Sequence, residues 1–350
     1  MKKIILSAAF ALITFCASAA FGDIFSEMYL NYLVMDDDAS TDYPKVWVIG
    51  PSTAGSTQPN LSLSIPTAVT HDGVTYRVTQ IDAKAFSGRT NIVQAFIGYG
   101  ITHIGNEAFK GCSKLVNVRI PSSIQSIGDN AFASCSALKE VNIANADPST
   151  FTTSASAFPS NSGMTLGVAK TNDLRTVTAF NNLSQYSKFA TIELSSAAYD
   201  FTTDDSFAMC VTKAPSKGVP GEVKLVGVFG NSTGSFAPQA TYTHSVYSYK
   251  LVATGFRSCK DQTQIKSFDF SNATNLTTID CYTFSGCTNL TSVNLGSTVD
   301  QIELYAFENV PISSITIPKS VSYIGYLAFN KCPNLSAISV DSNNPFYKSS

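Results

Sequence analysis

Residues 101–143 read ITHIGNEAFKGCSKLVNVRIPSSIQSIGDNAFASCSALKEVNI, and this stretch carries the same pattern twice. The anchoring residues of the first copy recur 23 positions later: Ile104 matches Ile127, and Phe109 matches Phe132. A cysteine and a Leu-x-x-Val-x-Ile ending recur at the same interval. Self-similarity at a fixed period of about 20 to 50 residues is the signature of repeat architectures. The sequence therefore predicts a solenoid of stacked coils.

Each unit combines two hydrophobic patterns. The Leu-x-x-Val-x-Ile ending alternates like a strand with one buried face, and a proline such as Pro121 then ends it. The preceding segment places Ala131, Phe132 and Cys135 on one side of a short helical turn, for which Asp129 is a candidate cap. Neither piece can bury its apolar side alone. Each unit is therefore predicted to be a strand, a corner and a short turn that stack on the next unit.

The Ala-Phe pair of this unit recurs along the chain. Eight phenylalanines take the anchor position: Phe86, Phe109, Phe132, Phe158, Phe256, Phe284, Phe307 and Phe329. The units of Phe158 and Phe256 are degenerate. The repeat resembles that of the BspA-type leucine-rich repeat family, I-x-x-I-G-x-x-A-F-x-x-C-x-x-L-x-x-V-x-I-P. The resemblance implies a leucine-rich repeat solenoid, mainly β with short helical turns.

The chain divides into two similar halves. Residues 29–76 lack the repeat and read as strands around an Asp72-Gly73 turn, so they are predicted to be a β-strand cap that covers the first coil. Four units follow, and 186–193 resembles the ending of such arrays. We therefore expect one domain over 23–195, made of the cap, the first array and its end.

The second half, 196–350, repeats the plan of a cap followed by an array. Segments 207–212 and 223–228 match the first strand pair, and four units then follow at anchor spacings of 28, 23 and 22 residues. The longer first interval predicts a loop at 261–264. Residues 195–205 are expected to act as a short hinge between the halves.

The N-terminus predicts export. Residues 1–22 combine two lysines, an apolar run and small residues, which is the pattern of a secretory signal peptide. Cys16 would be a lipidation site in a lipoprotein signal, but Phe15 stands where that signal has a small residue, which favours an ordinary cleaved segment. No later stretch is long enough for a membrane span. We expect an extracellular or cell-surface protein, with the periplasm as the alternative.

The composition excludes some classes of function. The chain has 350 residues, of which 44% are apolar and 14% charged, so it is too apolar for a disordered protein. Its formal net charge is −2, and it has no basic cluster. Nucleic acid binding requires dense Lys and Arg, so no nucleic acid partner is expected.

Catalytic and metal motifs are weak. Gly230-Asn-Ser232-Thr-Gly234 matches the nucleophile elbow of hydrolases, but Pro238 argues against the helix that the elbow requires, which favours a structural loop. The three histidines share no metal-site spacing. Asp36–Asp38 with Asp42 could bind calcium, although a solvated acidic turn is favoured. We therefore predict a non-catalytic protein with no cofactor and no metal.

The cysteines follow the repeat. Five share the position three residues after an anchor phenylalanine: Cys112, Cys135, Cys259, Cys287 and Cys332. Because Val310 stands there in another unit, this position is predicted to be a small core filler. Export would permit a bridge between Cys112 and Cys135, but parallel side chains should not converge, so free thiols are favoured. Cys210 and Cys281 lie outside this column, and Cys281, at a turn, is the candidate exposed thiol.

The outward strand positions are the candidate binding surface. Residues flanking the inward Val and Ile positions should form a ribbon of small polar side chains along each array: Asn117, Arg119, Glu140, Asn142, Ser267, Asp269, Ser292, Asn294, Ser314, Thr316, Ala337 and Ser339. Solenoids commonly bind partners on such a surface. For this family, the resemblance suggests binding of host matrix proteins or neighbouring cells.

The last coil carries a further expectation. Ile338 and Val340 would form an uncovered apolar edge, and 341–350 resembles the passage into another unit. We expect a fragment of a longer protein or, if the chain truly ends at Ser350, edge-to-edge association with a partner.

The sequence supports two hypotheses about function. The first is an exported recognition or adhesion protein that binds protein or glycan. The second is the scaffold or targeting region of a longer exported protein, including an enzyme.

Overall fold

The computed structural model describes residues 22–36, 43–170, 175–195, 197–204, 206–230 and 233–348. The predicted signal peptide as far as residue 21, including Cys16, lies outside the described residues, as do Ser232 and the acidic run after Asp36.

The strands alternate with tight turns throughout. In the first half they are β1 (Ile24–Glu27), β2 (Leu30–Asp36), β3 (Lys45–Pro51), β4 (Leu61–Ile65), β5 (Ala68–His71), β6 (Val74–Ile81), β7 (Ile92–Ile97), β8 (His103–Ile104), β9 (Asn117–Ile120), β10 (Ser126–Ile127), β11 (Glu140–Ile143), β12 (Thr152–Thr153), β13 (Thr165–Ala169) and β14 (Thr191–Ser195). In the second half they are β15 (Phe201–Thr202), β16 (Phe207–Lys213), β17 (Gly221–Val228), β18 (Ser235–Phe236), β19 (Thr241–His244), β20 (Tyr247–Thr254), β21 (Ser267–Asp269), β22 (Thr278–Ile279), β23 (Ser292–Asn294), β24 (Gln301–Ile302), β25 (Ser314–Ile317), β26 (Tyr323–Ile324) and β27 (Ala337–Val340). The helices are α1 (Thr53–Thr57), α2 (Arg175–Asn181) and a 3-10 turn (Ser184–Tyr186).

The first half is a solenoid with two sheets and a covered first coil. One sheet runs β1-β2-β3-β6-β8-β10-β12, and the other runs β14-β13-β11-β9-β7-β4. Pairing between repeats is parallel, whereas β1, β2 and β3 pair antiparallel at the capped end. The predicted Asp72-Gly73 turn joins β5 to β6 with positive φ at both residues. The predicted leucine-rich repeat solenoid with a β-strand cap is confirmed.

The second half follows the same plan. Its cap sheet runs β15-β16-β17-β20-β22-β24-β26, while its strand face comprises β18-β21-β23 and β25-β27. Both caps contain a parallel ring pair between a phenylalanine and a histidine. Phe25 stacks on His71 with centroids 4.3 Å apart, and Phe201 stacks on His244 at 4.5 Å. The two caps thus share side-chain packing as well as strand order.

Phenylalanine ladders run through both arrays. Phe109 stacks on Phe86 at 5.0 Å and on Phe132 at 5.2 Å, and Phe158 continues the ladder at 5.4 Å. In the second array Phe284, Phe307 and Phe329 stack at 5.3 and 5.4 Å. The backbone of each coil also bonds to the next, as where Phe109 N donates to Ala131 O at 2.7 Å. The stacked rings and the backbone hydrogen bonds therefore both join each coil to the next, and both fit the same distance between coils.

The prediction that Phe256 anchors a unit is wrong by three residues. Cys259 N donates to Thr283 O, as Phe86 N donates to Ala108 O, so Cys259 occupies the anchor position. Phe268 compensates for the smaller side chain, because its ring contacts Phe284 edge-on at 4.9 Å. The strand phenylalanine thus replaces the missing anchor ring, and the predicted 261–264 loop is part of an ordinary turn.

The short turns are not α-helical. In the 23-residue unit, Ala108 N, Lys110 N and Cys112 N each donate to the carbonyl three residues earlier. Glu107 and Asn130 adopt positive φ at equivalent places, which interrupts any helix. The predicted capping role of Asp129 is also wrong, because Ala131 N and Phe132 N donate to backbone carbonyls and the Asp129 carboxylate accepts a hydrogen bond from Ser154 of the next coil.

The cysteine thiols face carbonyl groups of the preceding coil. Cys112 Sγ lies 3.2 Å from Phe86 O, and Cys135 Sγ lies 3.1 Å from Phe109 O. Cys287 Sγ makes the same contact to Cys259 O at 3.0 Å. All seven described cysteines are free, which confirms the preference for thiols over a Cys112–Cys135 bridge. Cys281 is half-buried.

The predicted hinge is instead an interface. Asp200 is almost fully buried, and its carboxylate accepts hydrogen bonds from Ser122 N, Ser122 Oγ and Val211 N at 2.6 to 2.7 Å. A small apolar cluster continues this contact: Ala144, Ala169, Ala198, Ala208, Cys210 and Val226. The expectation of free movement at 195–205 is therefore wrong, because this segment packs the second cap against the first array.

Candidate binding surface

The parallel register aligns the outward strand positions into two rows. In the first array, row one consists of Ser62, Gln94, Asn117, Glu140, Thr165 and Thr191. Row two consists of Ser64, Phe96, Arg119, Asn142, Gly167 and Glu193. Alternation along each strand places both rows on the face opposite the core.

Row one is a chain of polar side chains at the surface. Asn117 Nδ2 donates to Glu140 Oε2 at 2.8 Å, and Asn142 Nδ2 donates to Glu140 Oε1 at 2.7 Å. Gln94 is exposed beside Asn117. These bonds hold the Glu140 carboxylate in a defined orientation, with donors on both oxygens.

Row two is partly covered by the segment that leads into the second cap. The Arg119 guanidinium lies between two rings, 4.6 Å from the centroid of Phe96 and 3.8 Å from that of Tyr199. Asn142 is only 1% exposed, and its Oδ1 has no hydrogen-bond partner among the residues that the structure describes. The expectation that Asn142 faces solvent is therefore wrong, because the chain after β14 folds back over this row.

A cleft opens where the covering segment meets the strand face. Its volume is about 570 Å³, and its walls combine an aromatic and cationic group with hydroxyl groups. The main lining residues are Ser64, Thr67, Phe96, Arg119, Tyr199 and His244. Strands β4, β7 and β9 supply one wall, and the start of the second cap supplies the other.

Burial shifts the pKa values of the two charged groups at this junction. Burial lowers the pKa of Arg119 from its usual value, and Tyr199 opposes that shift. Burial raises the pKa of Asp200 to about 6, while hydrogen bonds from Ser122 and Val211 act in the opposite direction. The cleft therefore combines a guanidinium held between two rings with a carboxyl group whose pKa is raised by burial.

The second array presents the rest of the predicted ribbon. Its register pairs Ser267 with Ser292 and Asp269 with Asn294, and farther along pairs Ser314 with Ala337 and Thr316 with Ser339. The members from Ser292 onward are exposed: Ser292, Asn294, Ser314, Thr316, Ala337 and Ser339. This part of the ribbon has only small side chains, so it lacks the aromatic and cationic features of the cleft.

Several surface residues were missed by sequence reasoning. Ser62, Ser64, Thr165 and Thr191 extend the rows by one or more strands on either side. The alternating pattern Leu61-Ser-Leu-Ser-Ile65 already carries this information, since its serines face away from the core. Tyr199 could not be found this way, because it lies outside every repeat.

The remaining candidate residues form other contacts. His71 Nδ1 lies 2.8 Å from Glu27 Oε1, His244 Nε2 lies 3.5 Å from Thr67 Oγ1, and His103 Nδ1 lies 2.7 Å from Thr102 Oγ1. Asp36 pairs with Lys45 at 3.2 Å. Within the described ranges, no group of three or more His, Cys, Asp or Glu side chains is arranged to hold a metal ion.

Two further expectations concern the hydrolase motif and the membrane. After Gly234 the chain enters β18 instead of the helix that a nucleophile elbow needs, as predicted. None of the described helices has the length and apolar character to cross a membrane.

Comparison with known proteins identifies the repeat. A family profile for the BspA type leucine-rich repeat region matches in six copies over residues 70–187 and 255–350, which is more than half of the chain. No curated protein matches.

Solved structures show similar repeat proteins. A leucine-rich cell surface protein from Faecalibacterium prausnitzii is 19% identical, with a TM-score of 0.29, and the match covers 91% of this chain but 55% of that chain. A leucine-rich repeat protein from Bacteroides ovatus is 20% identical over 91% of this chain and 89% of that chain, with a TM-score of 0.34. A leucine-rich repeat protein from T. pallidum is 15% identical over 89% of this chain and 91% of that chain, with a TM-score of 0.28. The profile match and the observed coil together show that the chain belongs to the BspA-type leucine-rich repeat family.

Proposed function

We propose that this protein is an exported, non-catalytic recognition or adhesion protein that binds a protein or glycan partner on its strand face. The centre of the site is the cleft beside Arg119, and the exposed residues of row one extend it. Family membership supports a role in protein interaction, and the signal-peptide pattern of residues 1–22 supports export to the cell surface or the surroundings.

One observation carries the proposal. Arg119 is held between Phe96 and Tyr199 in an open cleft, so its guanidinium is oriented before a partner arrives. Tyr and Arg are enriched among residues that dominate binding energy, and a preorganised side chain loses less entropy on binding. The hydroxyls of Ser64 and Thr202 add hydrogen-bonding groups that suit a peptide backbone or a sugar. The rest of the ribbon would add contact area but little binding energy, because its side chains are small and polar.

The test is a binding screen of the chain from residue 23 against host matrix proteins, mucins and glycans. For any partner found, Phe96→Ala is expected to weaken binding at least about tenfold, because it removes one ring from the Arg119 stack. Asn117→Asp is expected to weaken binding by introducing a charge beside Glu140. Circular dichroism should show that both variants are folded.

Asn309→Asp is the matched control. It adds the same charge at an exposed turn of the second array, away from the strand face, at a positive φ that Asp tolerates. Binding should be unchanged in this variant. A partner whose affinity is the same for Phe96→Ala, Asn117→Asp and Asn309→Asp does not bind at the strand face.

A further inference from the structure

A second pocket lies where the end of the first array meets the first unit of the second. Its volume is about 390 Å³, and apolar side chains from α2 and β14 form its floor. Five charged residues line it: Lys170, Glu193, Arg257, Lys260 and Asp261. None of its described lining residues belongs to the strand-face cleft.

The fold brings two cations from different halves to one place. Lys170 follows β13 directly, at the end of the first array. Arg257 occupies the first turn of the second array, where its guanidinium lies 5.1 Å from the Phe256 ring and 5.3 Å from the Tyr282 ring. Gly255 allows the backbone of the second array to lie against the backbone of Lys170, because a Cβ at position 255 would clash with the carbonyl oxygen of Lys170. The pocket therefore depends on the packing of one array on the other.

Among the described lining residues, three cations stand against two carboxylates. Asp261 pairs with Lys260 at 2.7 Å. No carboxylate among the described residues lies within ion-pair distance of Lys170 or Arg257, and Arg257 Nε is buried without a hydrogen-bond partner. Glu193 is the one other acidic residue of the described lining, and it is exposed.

The two cations also destabilise each other. Burial lowers the pKa of the Lys170 ammonium, and the Arg257 guanidinium lowers it further, while Cys259 and Asp261 act in the opposite direction. Both side chains are half-buried, and a cation that is partly removed from water normally has a paired anion, because desolvation of an unpaired charge is costly. Two neighbouring cations and an N–H without a protein partner therefore form an arrangement that suits an anionic group.

We propose that this pocket binds an oxyanion, namely a sulfate, phosphate or carboxylate group, either free or carried by a small ligand such as a sugar. Arg257 would supply the planar fork of donors and Lys170 a point charge, the combination that proteins use for such groups. The pocket volume leaves room for a sugar-sized body beyond the anionic group. Because the anion would contact both halves, its binding would also stabilise their association.

Thermal unfolding with three anions tests this site. Inorganic sulfate, inorganic phosphate and glucuronate are titrated separately, each against sodium chloride at equal ionic strength. We expect a saturable rise in the melting temperature with at least one of the three anions and not with chloride, since a ligand that binds only the folded state stabilises it. The preferred anion distinguishes a sulfated, phosphorylated or carboxylated ligand.

Variants of the two cations localise the effect. Lys170→Met and Arg257→Met should each raise the half-saturating concentration at least tenfold. Lys170→Met should also raise the melting temperature without anion, because it removes a half-buried charge that Arg257 repels and keeps most of the aliphatic stem. This variant decides the matter if Arg257→Met fails to fold.

Lys213→Met is the control, because Lys213 is an exposed lysine paired with Glu222 outside the pocket. It should retain the full anion response. The proposal is overturned if Lys170→Met keeps the same saturation curve as the unaltered protein, or if chloride produces the same rise as the oxyanions. Neither result depends on whether a macromolecular partner binds the strand face.

Discussion

At the scale of single residues, the anchor phenylalanines determine whether coils can stack. Phe132 is fully buried, and its ring lies between Phe109 at 5.2 Å and Phe158 at 5.4 Å. Phe132→Ala should reduce the free energy of unfolding by about 3 to 5 kcal/mol, because it leaves a cavity and breaks two ring contacts. Urea denaturation followed by circular dichroism measures this loss.

A second phenylalanine provides the control for this substitution. Phe346 is 63% exposed, so Phe346→Ala should change the free energy of unfolding by less than about 1 kcal/mol. Similar losses for both variants would mean that Phe132 contributes no more than a surface ring. The difference between them isolates the contribution of the ladder.

At the scale of the repeat unit, the anchor column of the second array shows how a missing ring is replaced. Cys259→Phe should destabilise the protein by about 1 to 3 kcal/mol, because Phe268 already contacts Phe284 where an anchor ring would lie. Adding Phe268→Val should recover part of that loss, since the first array combines an anchor phenylalanine with a strand valine, Val118. A double-mutant cycle should show a coupling of about 0.5 to 3 kcal/mol. Additive effects would mean that the two side chains do not share this space.

The same unit shows why sequence reasoning placed one anchor incorrectly. The period and the phenylalanines were sufficient for the first array, where all four anchors are phenylalanines and only the unit of Phe158 is degenerate. In the degenerate unit, Phe256 lies three residues before the anchor position, and Cys259 resembles a column cysteine although it is the anchor itself. A one-dimensional pattern records residue types but not the volume that neighbours already fill, so it could not detect the exchange with Phe268.

At the scale of the whole molecule, contacts between the halves were beyond the reach of a repeat pattern. Asp200 and Tyr199 belong to no unit, and their partners Ser122 and Arg119 are about 80 residues away along the chain. Periodicity predicts contacts between neighbouring coils only. The candidate cleft was therefore half predictable: its strand wall follows from alternation, whereas its second wall follows from packing between the arrays.

This interface should make stability depend on pH. The pKa of Asp200 is raised to about 6 in the folded protein, above its unfolded value of about 3.9. Its contribution is therefore fully present below about pH 4 and is lost as the pH rises through about 6, by roughly 2 to 3 kcal/mol in all. Other carboxyl groups titrate in the same range, so the comparison must be made against a variant.

Asp200→Asn removes this titration while it retains the size of the side chain. Thermal unfolding of both proteins between pH 4 and 7.5 should show the unaltered protein losing stability relative to the variant as the pH rises. If the melting temperatures of the two proteins change in parallel with pH, Asp200 does not titrate with a raised pKa. The absolute stability of the variant is a separate matter, because an amide accepts fewer hydrogen bonds from Ser122 and Val211 than a carboxylate does.

The backbone ladder between coils also has a mechanical consequence. Hydrogen bonds such as that from Phe109 N to Ala131 O run along the solenoid axis and join each coil of an array to the next. Tension applied along the axis would therefore peel off one coil at a time. Each 23-residue coil would release about 80 Å of chain. A protein built in this way would yield under load in small successive steps, and each released coil could rewind when the load falls.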